Sequence, residues 1–137
     1  MNILLVGGSS RFTKFLIDKL RKEGHRVFRL TEEPKTAKSV GKVFETYHFA
    51  YDDSCIREVV DSIQPDVTVF MGAFDTNYHW DKRQSRPVTY TAGLFNLLTA
   101  HIALGKGRFI YLSSEEVYQG EYAEEISCDT PCMVHTD

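Results

Sequence analysis

The chain has 137 residues, 42% of them hydrophobic, and a formal net charge of −3. That length suggests one domain with enough apolar residues for a core. The charges are scattered, so the basic stripe that a nucleic-acid binder needs is missing. "DKRQSR" at 81–86 is the densest basic stretch, and it reads as a polar loop or a helix start.

No apolar run approaches the length of a membrane span, and "NILLVGG" lacks a basic leader and a cleavage site. The cysteine count is odd, which points to reduced thiols in a cytoplasmic protein. Cys128, Cys132 and His135 lie in one short segment with no second pair at zinc spacing, so no metal site is expected.

The elements alternate along the chain. "NILLV" (2–6) is apolar from Ile3 onward, as a strand buried on both faces should be. Phe12, Phe15, Leu16, Lys19, Leu20 and Glu23 follow at helical spacing, and Gly24 caps that helix. "RVFRL" (26–30) is a second strand. The polar "TEEPKTAKSVG" (31–41) connects it, with room for a short helix, to a third, "VFETYHF" (43–49). Asp53 or Ser54 is placed to N-cap a helix with Ile56, Val59, Val60 and Ile63 on its apolar side, and Pro65 ends it. "VTVFMG" (67–72) is a fourth strand. "VTYTAGLFNLLTAHIAL" (88–104) has the length of a long helix, stopped by Gly105 and Gly107, and "RFIYLS" (108–113) is a fifth strand.

Strands alternating with helices imply parallel βαβ units. The expected fold is an α/β, Rossmann-type doubly wound parallel sheet of five strands, incomplete at the C-terminus. Residues 1–113 form the domain, and 114–137 read as an active-site loop and tail. Ligands of such sheets bind beyond the carboxyl ends of the strands. A dinucleotide turn there needs glycine at three spaced positions, which "GGSSRFT" fills with Gly7, Ser10 and Thr13. Ser10 is small enough to face a phosphate, and the helix start at Arg11 and Phe12 offers free N–H groups. Thr13 must fit where a hydrogen usually sits, which pushes the helix off the sheet. The acid that holds the ribose hydroxyls should end the second strand; Thr31 stands there, with Glu32 one position late. Arg29 is an alternative partner for a 2′-phosphate, so NAD is favoured over NADP without excluding it.

These stretches, in this order, resemble the extended short-chain dehydrogenase/reductase family, the NAD-dependent nucleotide-sugar epimerases and dehydratases. "ILLVGGSSRFTKFLIDKLRKEGHRVFRL" looks like the family's first strand, glycine loop, helix and second strand. "YDD" (51–53) is similar to its acidic turn, which implies that Asp52, beside Asp53, bonds the adenine amino group. "VFMGAF" (69–74) resembles the fourth strand, implying Gly72 and Ala73 beside the cofactor, with Ser113 from the fifth. "AGLFNLL" (92–98) is similar to the long helix, which in the family pairs between subunits; that implies a homodimer through 88–104. "LSSEEVYQG" resembles the "SS-x-x-VYG" signature with one residue inserted before Gly120. It implies that Ser114 holds the substrate oxygen, and that Glu115 and Glu116 occupy the place of the acid pair with which the sugar-nucleotide dehydratases eliminate water. Two glutamates at a strand end can equally be solvated.

The departures are specific. The family's catalytic pair is Tyr-x-x-x-Lys, and none of the seven tyrosines has a lysine four residues on. Counted from Ser114, that tyrosine would fall just past Asp137, so the chain reads as cut before it and inactive by itself. An asparagine usual in the long helix is Tyr90 here. Three readings follow. The first is the cofactor half of an epimerase or dehydratase acting on a nucleotide-sugar. The second is a dinucleotide-sensing or scaffold protein that has lost the chemistry. The third, a phosphoacceptor receiver domain, fails because Gly7 and Gly8 replace the acids needed after strand one. His25 and His101 are expected to face solvent or, for His101, an association surface; His79 and Trp80 are expected in a loop.

Overall fold

A computed structural model describes residues 1–7, 11–31, 43–48, 55–71, 86–113 and 127–130. In chain order the elements are β1 (Asn2–Val6), α1 (Arg11–Lys22), β2 (Arg26–Thr31), β3 (Glu45–His48), α2 (Ile56–Ile63), β4 (Val67–Phe70), α3 (Arg86–Leu104) and β5 (Arg108–Tyr111). The strands form one parallel sheet in the order β3-β2-β1-β4-β5. This is the expected Rossmann-type architecture. The chain winds outward through β2 and β3, then crosses back to β4 on the other side of β1. The switch point therefore lies between β1 and β4.

β1 is apolar and buried without alternation from Ile3 to Val6 because both sheet faces are covered there, whereas the outer strands β3 (ETYH) and β5 (RFIY) carry polar and exposed residues. On one face Leu4, Val6, Phe28, Leu30 and Phe70 meet Ile56, Val59, Val60 and Ile63 of α2 and Leu97 and Ala100 of α3. On the other, Ile3, Leu5, Val27 and Met71 meet Ile17 of α1, flanked by Leu16 and Leu20. The apolar stripe read on α2 is thus the buried one. No described helix is long and apolar enough to cross a membrane.

The element ends follow local chemistry. Past α1, Gly24 N donates to Arg21 O (3.0 Å) and His25 N to Leu20 O (3.1 Å), the paired bonds of a Schellman cap. That cap folds His25 back on the helix end. Its side chain is only 20% exposed, with Nε2 3.9 Å from the Glu23 carboxylate, and does not stand in solvent as expected. Gln64 takes a left-handed conformation ahead of Pro65 and donates its N–H to Val60 O. Tyr47 on the edge strand packs on the core, and burial, with the Glu45 carboxylate 3.0 Å away, pushes its phenol up.

Two further expectations are corrected. The residue that precedes α2 is Cys55, in helical conformation and with no side-chain cap bond, rather than Asp53 or Ser54. Burial of four aliphatic side chains holds α2 without that cap. His101 turns inward: its ring lies edge-on to Phe109 at 5.7 Å. Both of its nitrogens are buried without a hydrogen-bond partner among the described residues. Gly107 makes this approach possible, since a Cβ there would stand 2.7 Å from Pro65 O and 3.1 Å from His101 Cε1. The short helix considered within 31–41, His79, Trp80, Cys132 and His135 lie outside the described residues.

Leu4 is fully buried at the centre of the sheet, opposite Phe28 on one side and Thr68 on the other. Leu4→Ala is expected to cost about 2–5 kcal/mol, much of an ordinary domain's stability. Urea unfolding followed by circular dichroism reads it, and a loss below about 1 kcal/mol would contradict this core assignment.

Candidate functional site

Three strands end side by side at the carboxyl edge. Val6 lies opposite Leu30 of β2 and Phe70 of β4. Beyond Val6 the two neighbours take up the next backbone groups. Met71 N donates to Val6 O and Gly7 N donates to Leu30 O, both at 2.9 Å. Gly7 then turns the chain out of the sheet at φ +77°, where a side chain would be strained.

α1 begins at Arg11, so its first-turn amides face this edge without intrahelical acceptors. No acidic residue stands in that first turn, while Lys19, Arg21 and Lys22 stand in the last. The positive end of the helix dipole is therefore not neutralised by its own carboxylates. The arrangement suits an anion such as a diphosphate.

Thr13 is fully buried, and its hydroxyl donates to Met71 Sδ at 3.9 Å. Its side chain thus fills the seam between α1 and the sheet. Thr31 ends β2 and is 4% exposed. Arg29 is 1% exposed; by strand alternation it shares the α1 face with Val27, deep below the strand end. Phe12, in contrast, is 56% exposed. Ser113 is exposed just beyond Leu112, whose N–H extends the β4–β5 pairing to Phe70 O at 3.0 Å.

The fold therefore brings Gly7, Arg11, Phe12, Thr31 and Ser113 to one edge. Ser10, Glu32, Asp52, Asp53, Gly72, Ala73, Ser114, Glu115 and Glu116 lie outside the described residues. Sequence reasoning missed the Thr13–Met71 contact and the depth of Arg29. The first joins residues 58 apart. The second was legible in principle, because Arg29 alternates with Val27 on a buried face.

The left-handed Gly7 and the acid-free helix start suit an anion at this edge, while Thr13 fills the seam where a dinucleotide turn has its third glycine. The NAD dependent epimerase/dehydratase family model matches residues 3–136. No curated protein matches the chain. Among solved structures, a short-chain dehydrogenase/reductase superfamily protein from Agrobacterium tumefaciens with bound NAD is 23% identical with a TM-score of 0.77. The match covers 99% of this chain and 40% of that one. UDP-glucose 4-epimerase from Bifidobacterium longum, in complex with NAD+ and UDP, is 18% identical with a TM-score of 0.74, over 97% of this chain and 43% of that one. The Bordetella bronchiseptica enzyme WbmG, in complex with NAD, is 18% identical with a TM-score of 0.74, over 97% and 44%. The chain thus spans less than half the length of these structures, and at such identities they establish its fold. With the family model matching from the first strand to the penultimate residue, the chain belongs to the NAD dependent epimerase/dehydratase family.

Proposed function

We propose that residues 1–137 form the cofactor-binding half of an NAD-dependent nucleotide-sugar epimerase or dehydratase, with NADP as the alternative cofactor. The observation that carries this reading is the left-handed turn at Gly7, set at the β1–β4 switch point below an acid-free helix start. The UDP bound to the Bifidobacterium longum enzyme supports the nucleotide-sugar class. The odd number of cysteines in the chain supports a cytoplasmic location for this reading.

On this reading the N–H groups at Arg11 and Phe12, with Ser10, hold the diphosphate. Thr31 and Glu32 meet the adenosine ribose, and Asp52, beside Asp53, accepts from the adenine amino group. Gly72 and Ala73 leave room for the cofactor against β4, with Ser113 beside them. A bound nicotinamide supplies the acceptor and donor of hydride. Ser114 orients the reacting sugar oxygen, and Glu115 and Glu116 are the acid and base of a dehydration. No Tyr-x-x-x-Lys occurs in residues 1–137, so these residues alone bind cofactor without turnover. A dinucleotide sensor of the same fold is the second reading. The side chain of Thr13 in place of a glycine favours it, and both readings share the cofactor roles. They part on turnover in a protein that joins these residues to a Tyr-x-x-x-Lys segment: an enzyme gains turnover that Ser114→Ala removes, whereas a sensor gains none.

The same reading includes a homodimer through α3. That helix is apolar on its outer side as well, with Phe95 65% and Ile102 76% exposed.

Calorimetric titration is expected to show NAD binding with a dissociation constant on the order of micromolar, tighter than NADP. Gly7→Val, which forces a β-branched residue into the left-handed region, should weaken it by about tenfold or more. Binding of neither dinucleotide would remove the cofactor role. Light scattering is expected to find a dimer that Ile102→Lys dissociates; a monomer at every concentration would refute the α3 interface.

A further inference from the structure

We propose that Thr13 is a positioning residue for the cofactor diphosphate, and that Met71 is the seat against which it works. This rests on the dinucleotide reading above. Thr13 is the third residue of α1, and its side chain is 1% exposed. Its Oγ1 lies 3.9 Å from Met71 Sδ. Met71 is 2% exposed, and its own N–H donates to Val6 O at 2.9 Å. A closed circuit results. The chain leaves the sheet after Val6, turns through Gly7 into α1, and returns through Thr13 and Met71 to the Val6 carbonyl.

The turn is thereby fixed at both ends. At its start Gly7 N is bound to Leu30 O. At its end the stacked side chains of Thr13 and Met71 set how far the first turn of α1 stands from the β1–β4 edge. Thioether sulfur is a weak acceptor, so bulk and shape carry the effect more than the hydrogen bond. A β-branched threonine in a helix is restricted at χ1 to two rotamers, and here its burial against Met71 makes it a spacer. The adaptable methionine beneath it fills the remaining gap. Interiors are close-packed, so removing the spacer moves the helix start, and with it the amides that meet the phosphates. Charge-assisted bonds to an oxyanion are sensitive to such a displacement.

The test measures NAD affinity by calorimetry in the protein and its variants, at a temperature well below each unfolding midpoint. Thr13→Val keeps the bulk and is expected to bind within about twofold of the parent. Thr13→Ala, which removes the spacer and retains helix propensity, is expected to weaken binding about tenfold. Met71→Ala should weaken it similarly, and the double variant should be no weaker than about the worse single one, the mark of a shared contact. A merely structural role would lower the midpoints and leave the affinity of the folded protein unchanged. Thr13→Ala affinity within about twofold of the parent would therefore overturn the proposal, as would tighter binding by Thr13→Gly. If Thr13→Ala does not fold, Thr13→Ser decides: an affinity loss supports the spacer and parental affinity overturns it. A parent that binds no dinucleotide overturns the cofactor reading and this proposal together. A parent that binds, with indifferent variants, overturns this proposal alone.

Discussion

The backbone groups at the end of β1 are claimed from both sides. Met71 takes the Val6 carbonyl, and Leu30 takes the Gly7 amide. β1 ends there, and the chain leaves the plane of the sheet. It leaves through a left-handed residue, which is why glycine stands there. A parallel sheet then demands a crossover on one face, and α1 supplies it. Its first-turn amides arrive at the carboxyl edge as a consequence of topology, before any ligand is considered. The switch point between β1 and β4 and the place of the helix start both follow from that divergence.

The two faces of the sheet are not equivalent. The face under α2 and α3 is built mainly from aliphatic and aromatic side chains. The α1 face also carries buried polar groups: Thr13 from the helix and, by strand alternation, Arg29 and Thr31 from β2. Burying such groups costs free energy that an apolar residue would not. The opposite face is not free of them either: Thr68, beside Leu4, and the two ring nitrogens of His101 are buried on the side of α2 and α3. The threonine at the third glycine position belongs to this pattern, because it fills a seam that glycine would leave to backbone contact.

The fold was legible because its elements carry unambiguous periods. β1 is apolar from Ile3 to Val6, a run too short for a helix, and α2 shows one clean stripe, so length and period together separated strand from helix. α3 was legible in length but not in orientation. Leu97 and Ala100 are buried while Phe95 and Ile102 are exposed, and an all-round apolar helix does not announce its inner face. For the same reason the inward turn of His101, on that helix, could not be read. It depends on Gly107 and Phe109 arriving from the next strand. Within the site, Gly7, the helix start and Thr31 could be placed from the rule that ligands meet the carboxyl ends of strands. The Thr13–Met71 contact could not, because it arises only when β4 pairs with β1.

The most direct measurement is the backbone amide spectrum of the protein as NAD is added. The account predicts shifts at Gly7, Arg11, Phe12, Thr13, Thr31 and Ser113, which all stand at one sheet edge. Gly105 to Arg108, at the opposite edge, should stay unmoved. Shifts confined to that opposite edge, or a spectrum that NAD leaves unchanged, would contradict the claim that the end of β1 builds a dinucleotide site.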